Sequence, residues 1–366
     1  MRHPVPTGTP VVVKVGSSSL SGPGGGLDTS SVERVVEQII ALSKRGNPPV
    51  LVTSGSIAAG FPALGMTERP TDIAELQVAA AIGQTRLVES YASRFAKSGI
   101  AVAQVLLTKD VLGNRAQYLN ARAALERMLS LGVIPVVNEN DTVVVDELKL
   151  GDNDQLAAIT AHLVSAGMLV ILTDTEGLYT DDPRFAADAK LLSAVEHSDV
   201  VLDRIRRTTG AGDLGSGGVA TKVAAARMAA FSGIPTVIAS AYALDVVEAA
   251  VSGEEIGTWI DPRADSLAAR KLWIAFGLPA AGRITVDDGA IDAIRNSGGS
   301  LLAVGLTGVS GDFSRGDAIE VFDDSQSLVA KGISRFGSDI LAEVAGHHSD
   351  VIGGEVIHRD DLVVLV

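Results

Sequence analysis

VVVKVGSSSL, residues Val11 to Leu20, is the stretch whose reading decides the fold. Its first five positions hold four valines and a lysine, Lys14. A continuous apolar run, rather than an alternating one, predicts a strand buried on both faces, the kind found in parallel sheets. Gly16 and the serines 17 to 19 then replace it with a bare, hydroxyl-rich turn. The charge inside the strand has two readings. It is either an ordinary strand-edge lysine beside a turn, or a cation placed over a nest of backbone N–H groups that receives phosphate. The Walker spacing GxxxxGK[ST] is absent from this turn.

Similar apolar runs recur along the chain. PVLVTSG (49–55), AVAQVLLT (101–108), VIPVVNEND (133–141), MLVILTD (168–174) and IPTVIAS (234–240) read as further strands. Between them lie helical patterns at 30–46, 73–99, 114–132 and 155–167, and another near Lys222. The long pattern at 73–99 carries Gly83, where a break is expected. The alternation predicts an α/β fold with an open, largely parallel sheet sandwiched by helices. Polar residues gather at the C-terminal ends of the strands, the edge where such sheets bind ligands. After about residue 250 the pattern changes to short strands separated by Gly and Asp, predicting a small, mostly β barrel-like domain.

The bulk composition narrows the function classes. The chain has 366 residues, 46% hydrophobic and 20% charged, enough for two globular domains. It has no cysteine, which excludes disulfides, thiolate metal sites and a cysteine nucleophile. MRHPVPTGTP lacks the apolar core of a signal peptide, and no long uncharged run predicts a membrane span, so a cytoplasmic location is expected. The net charge of -14 argues against nucleic acid as the main partner. It leaves room for an anionic small substrate, held in a cleft by a few local cations.

Four other segments carry chemistry. TSGSIAAG (53–60) is a second turn of small residues after a strand, suited either to ligand approach or to tight packing. NEND (138–141) and GDND (151–154) cluster acids and amides, which read as capped loops or as a grip on a zwitterion such as an amino acid. LTDTEGLYTDDPR (172–184) is a solvated acidic loop or a place for Mg²⁺. GSGGVATK (215–222) opens a helix with glycines, hydroxyls and Lys222, a pattern favouring phosphate. Taken together the segments suit phosphoryl transfer, with Lys14 and Lys222 as the cations. No histidine sits in these turns, and His162 reads as packing or surface. A carboxylate acceptor, already ionised, needs no strong general base.

In this order and spacing, VVVKVGSSSL, VTSGSIAAG, VVNENDTVVVDELKLGDNDQLAA, LTDTEGLYTDDPR and GSGGVATK resemble the glutamate 5-kinases of the amino-acid kinase superfamily. The segment from Gly282 onward resembles a PUA domain. The glycine turns alone fit kinases acting on carbamate, aspartate, acetylglutamate or uridylate; GDND following NEND, together with the PUA-like part, is more specific. The resemblance implies a kinase domain at 1–258, a linker at 259–278 and a PUA domain at 279–366. It implies transfer from ATP, with Mg²⁺, to the side-chain carboxylate of L-glutamate, the first step of proline synthesis. It also implies proline as feedback inhibitor, glutamyl-phosphate reductase as recipient of the product, and a homo-oligomer, dimer or tetramer.

Carried onto this chain, the resemblance places catalytic roles on Lys14, Asp154 and Lys222, and glutamate binding on Ser54, Asp141 and Asn153. ATP contacts fall on Lys14, Gly16, Ser17, Thr173, Asp174, Ser216, Gly217, Gly218, Thr221 and Lys222. No residue is assigned as a direct metal ligand. Two departures stand out: the family's GTGGM is Gly215 to Val219 here, with Ser216 keeping a hydroxyl, and Ala303 replaces the proline of SLLP.

Overall fold

The computed structural model describes residues 2–22, 26–143, 153–186, 188–208, 218–346 and 353–365. These divide into two compact units, Met1–Ser266 and Leu267–Val366.

In the first unit the strands are β1 (Val11–Val15), β2 (Pro49–Thr53), β3 (Val102–Leu107), β4 (Ile134–Glu139), β5 (Met168–Thr173), β6 (Ala194–Val195), β7 (Thr236–Ser240) and β8 (Thr258–Ile260). They lie in one sheet, in the order β3-β4-β2-β1-β5-β7-β8-β6. Every pairing is parallel except β7 with β8. The largely parallel sheet expected from the apolar runs is therefore what forms. β1 sits near its middle, with Lys14 opposite Val52 on one side and Ile171 on the other.

Successive strand side chains point to opposite faces, so β1 serves two layers. Val11, Val13 and Val15 join a core with Val32, Val36 and Ile39 of the Thr29–Lys44 helix and Leu87, Tyr91 and Phe95 of the Ile73–Ala96 helix. Val12 and Lys14 point the other way, towards the layer that holds the Asn153–Leu163 helix, which packs on β1. Asp28 caps the first helix, its carboxylate accepting from the Ser31 N–H at 2.9 Å.

Gly83 does not break its helix, which runs unbroken from Ile73 to Ala96. The glycine serves a close approach instead. A Cβ on Gly83 would lie 1.7 Å from the carbonyl oxygen of Ser56, and one on Gly60 would lie 1.8 Å from that of Ala79. Two helix backbones thus touch where neither carries a side chain, and the short Ser56–Gly60 helix is pressed against the long one.

The second unit contains β9 (Gly282–Val286), β10 (Leu306–Gly311), β11 (Ala318–Phe322), β12 (Leu328–Ile333) and β13 (Leu362–Val364), in the order β10-β9-β11-β12-β13. With the helices Asp288–Asn296 and Ser338–Val344 it is the small, mostly β unit expected. Its core includes Ile284, Val286, Ile319, Val321, Val329 and Ile357. Lys331 is buried, and its amine donates to the carbonyl oxygens of Leu278 and Ala275, groups left over where the Ala269–Gly277 helical segment ends. Among the described residues no helix is long and apolar enough to cross a membrane.

Candidate active site

The ends of β4, β2, β1 and β5 lie side by side, and the polar segments that follow them make one continuous edge. β1 turns directly into a short 3₁₀ helix, Ser17–Ser19, with Gly16 before it in extended conformation. The N–H groups of Ser19, Leu20 and Ser21 are used within this turn, on the carbonyls of Gly16 and Ser17. Among the described residues, those of Gly16, Ser17 and Ser18 have no backbone acceptor. The Lys14 amine reaches past the strand end: a Cβ on Gly16 would stand 3.5 Å from its Nζ.

Asp154 organises the cations. It lies in the first turn of the Asn153–Leu163 helix and is fully buried. Its Oδ1 is 2.5 Å from the Lys14 amine, and its Oδ2 is 3.6 Å from the Lys222 amine. The same Oδ2 accepts from the Thr221 hydroxyl at 2.8 Å. Burial alone would raise the pKa of this carboxyl; Lys14 and Lys222, with the hydrogen bonds, outweigh burial and hold it below the ordinary carboxylate range. Two amines from segments about 200 residues apart in the chain therefore meet on one carboxylate, leaving an excess of positive charge at the sheet edge. Gly218, extended, precedes the Val219–Phe231 helix, and its carbonyl oxygen lies 2.8 Å from the Thr221 hydroxyl as an alternative acceptor to Asp154. Ser216 and Gly217 lie outside the described residues.

A second cluster borders the first. The Asn153 side-chain nitrogen donates its two hydrogens to the Thr53 carbonyl and the Asn138 side-chain oxygen, each at 2.7 Å, and the Ser54 hydroxyl lies 3.0 Å from it. Asp141 accepts from the Ser56 hydroxyl at 3.0 Å. Its burial pushes the carboxyl up to about 6, against the opposing effects of Ser56 and the Arg69 charge. Thr173 and Asp174 hydrogen-bond to each other at 3.0 Å at the end of β5, the strand beside β1, with Asp174 exposed.

The sequence-derived residues thus fall into three neighbourhoods. Lys14, Asp154, Thr221 and Lys222 meet directly, Ser54 meets Asn153, and Asp141 contacts the turn that follows Ser54. Three residues of this site escaped the sequence reading: Ser56, which bonds Asp141, Gln84, which accepts from Asn138, and Tyr91, whose hydroxyl is 2.9 Å from that of Thr53. Ser56 stood inside a quoted turn; Gln84 and Tyr91 sit mid-helix with no local signal. His162 packs against Tyr118 with ring centroids 5.9 Å apart, and burial lowers its pKa to about 4, which suits a packing role.

A sheet whose C-terminal edge gathers lysines around a buried aspartate, beside amides and a carboxylate, has the donors and cations that phosphoryl transfer to a small molecule needs. The amino acid kinase family model matches residues 9–240, and the PUA domain model matches 282–353. Glutamate 5-kinase of Marinomonas sp. is 47% identical over the whole of both chains. Glutamate 5-kinase of Pelobacter propionicus is 45% identical, and that of Thioalkalivibrio sulfidiphilus 47%, each covering 96% or more of both chains. The chain belongs to the glutamate 5-kinase family.

Proposed function

We infer that this protein transfers the γ-phosphoryl group of ATP to the side-chain carboxylate of L-glutamate, releasing ADP and L-glutamyl 5-phosphate, the first step of proline biosynthesis. The observation that carries the reading is the convergence of the Lys14 and Lys222 amines on Asp154. Phosphoryl transfer spreads negative charge over three equatorial oxygens, and positioning with electrostatic stabilisation does most of the catalytic work. Lys14 and Lys222 supply the cations, and the free N–H groups of the Gly16–Ser18 turn complete the cradle. Asp154 holds both amines in place. Ser54, Asp141 and Asn153 hold the amino acid so that its side-chain carboxylate faces the phosphorus in line. That carboxylate is ionised at neutral pH, so attack requires no base from the protein. Thr173, Asp174, Gly218 and Thr221 border the nucleotide, and the family resemblance adds Ser216 and Gly217 to these contacts.

Mg²⁺ is assigned to the phosphates of ATP, where it would neutralise charge on the β- and γ-oxygens. Among the described residues no cluster of three His, Asp or Glu is placed to hold a metal, and both oxygens of Asp154 are engaged by Lys14, Lys222 and Thr221. The reading extends to a cytoplasmic homo-oligomer inhibited by proline that hands its unstable product to a reductase; family resemblance supports these features.

The test is ATP-dependent hydroxamate formation from glutamate, with aspartate and N-acetylglutamate as controls. Glutamate is expected to be strongly preferred, and K14A and K222A should each lower kcat by about 10²–10³-fold, the usual cost of one charge-stabilising donor. Equal rates with the control acids, or unchanged turnover in both variants, would overturn the assignment.

A further inference from the structure

Around Asn153 three side-chain amides form a chain whose polarity is fixed at two points by backbone groups. The Asn138 oxygen accepts from the Glu139 backbone N–H at 2.9 Å, a group that can only donate. The Asn138 nitrogen must then face the other way, and it donates to the Gln84 side-chain oxygen at 2.6 Å. Independently, the Asn153 side chain meets the Thr53 carbonyl at 2.7 Å, a group that can only accept, so a nitrogen stands there. That nitrogen also meets the Asn138 oxygen, and the two assignments agree. Among the described residues, every polar contact of the Asn153 carboxamide is made by its nitrogen, whose two hydrogens go to Thr53 and Asn138, with the Ser54 hydroxyl at 3.0 Å. What it has left for a ligand is its oxygen, an acceptor.

We propose that Gln84 is a positioning residue that locks this amide chain, so that Asn153 presents an acceptor to the ammonium group of the amino-acid substrate. The proposal rests on the function inferred above and specifies which part of the substrate the site recognises. An acceptor at Asn153, together with the carboxylate of Asp141, selects a cationic α-amine over an unsubstituted carbon. Gln84 is buried on the Ile73–Ala96 helix, next to Gly83, where the backbone contact with Ser56 brings that helix close to the sheet edge. It acts through its oxygen: its own side-chain nitrogen is buried and has no hydrogen-bond partner among the described residues. Without the Gln84 oxygen, the Asn138 nitrogen would be left buried and unpaired, and a flip of Asn138 would set nitrogen against nitrogen at Asn153.

The experiment compares Gln84→Met, which keeps length and apolar volume but removes the strong acceptor, with Gln84→Glu, which keeps an acceptor oxygen. Three constants are read for each purified full-length enzyme: KM for glutamate, KM for ATP, and Ki for glutarate, the five-carbon diacid that lacks the amine. For Q84M, KM for glutamate is expected to rise about tenfold, the worth of one buried hydrogen bond. Its KM for ATP and its Ki for glutarate should stay within about twofold, because neither ligand uses the acceptor. Q84E should stay within about threefold of the parent in all three. An unchanged glutamate KM in Q84M would overturn the proposal, and so would a glutarate Ki that rises in step, the mark of a merely structural role. If Q84M does not fold, Q84E decides: a glutamate KM close to the parent's supports the acceptor role, and a tenfold rise refutes it. If the parent enzyme makes no hydroxamate from glutamate, it is the functional reading that fails.

Discussion

Replacing Asp154 by Asn removes one negative charge from between two buried amines and keeps the shape of the side chain. The Lys14 contact at 2.5 Å and the Lys222 contact at 3.6 Å correspond to attractions of about 7 and about 5 kcal/mol at an effective dielectric near 20. Desolvation of three buried charges and the repulsion between the amines offset much of this, and breaking such a cluster by removing one partner typically costs about 3–5 kcal/mol. For a unit of this size the melting temperature should fall by roughly 6–20 °C. The lysines then lack their anion, and the phosphates of ATP can supply it. D154N should therefore bind ATP at least as tightly as the parent. A tenfold lower Kd would add about 1.4 kcal/mol to the stabilisation by a fixed, saturating ATP concentration. Turnover should fall about 10²–10³-fold, because amines no longer held in place lose their aim at the transition state. The assays are thermal melts with and without ATP, calorimetric ATP affinity, and kcat by hydroxamate formation. Two results would sink the reasoning: a kcat within threefold of the parent, or a loss of ATP affinity, which would mean that Asp154 serves the nucleotide's metal rather than the lysines.

Four further outcomes are expected. Burial raises the Asp141 carboxyl to about 6, so below that pH it is largely protonated and cannot pair with an ammonium; KM for glutamate should rise as pH falls from 7 to 5, and Asp141→Asn should abolish that dependence while raising KM throughout. For folding the sign is the reverse of the usual carboxylate: the raised pKa makes this group's contribution less favourable as pH climbs from about 4 to about 6, a trend that melts of the substrate-free parent and D141N should separate. Gly83→Ala places a Cβ 1.7 Å from the Ser56 carbonyl oxygen, so the two helices must part; a loss of about 1–3 kcal/mol in denaturant melts and a higher KM for glutamate are expected. Lys331→Met leaves the Leu278 and Ala275 carbonyls without their donor and should lower the stability of the second unit by about 1–3 kcal/mol, with kcat for glutamate unchanged.

The central strands were legible because each is buried on both faces, and unbroken runs such as VVVKV and MLVILT are the direct imprint of that burial. Lys14 stood out for the same reason, as a charge inside an apolar run, but the run left it either a strand-edge lysine or a cation over a phosphate nest. Which acid it pairs with was not legible from the run itself. That answer depends on the alternation that turns Lys14 towards the Asn153–Leu163 helix. Gly83 misled because helix propensity is local and the contact that requires glycine there, with Ser56, comes from a segment 27 positions earlier. Gln84 was invisible for a related reason. An uncharged amide in the middle of a helix carries no signal until the packing of that helix sets it against β4.

The two halves of the site are joined by one peptide bond. Asn153 reaches Thr53, Ser54 and Asn138 on the side of β2 and β4, and Asp154 reaches Lys14 of β1 and Lys222 and Thr221 of the Val219–Phe231 helix. Their Cα atoms are separated by the fixed span of a trans peptide, about 3.8 Å, so the spacing between the amide cluster and the cation cluster is set by covalent geometry rather than by loop conformation. The following turns of the helix are buried on almost every side, at Leu156, Ala157, Ala158, Ile159, Thr160 and Ala161, which prevents it from sliding or rotating without disturbing the core. Direct transfer between two bound molecules has little tolerance for a misplacement of even 1 Å. A buried helix whose first two residues each belong to a different cluster would meet that requirement in the proposed transfer, with Asn153 and Asp154 adjacent rather than merely near.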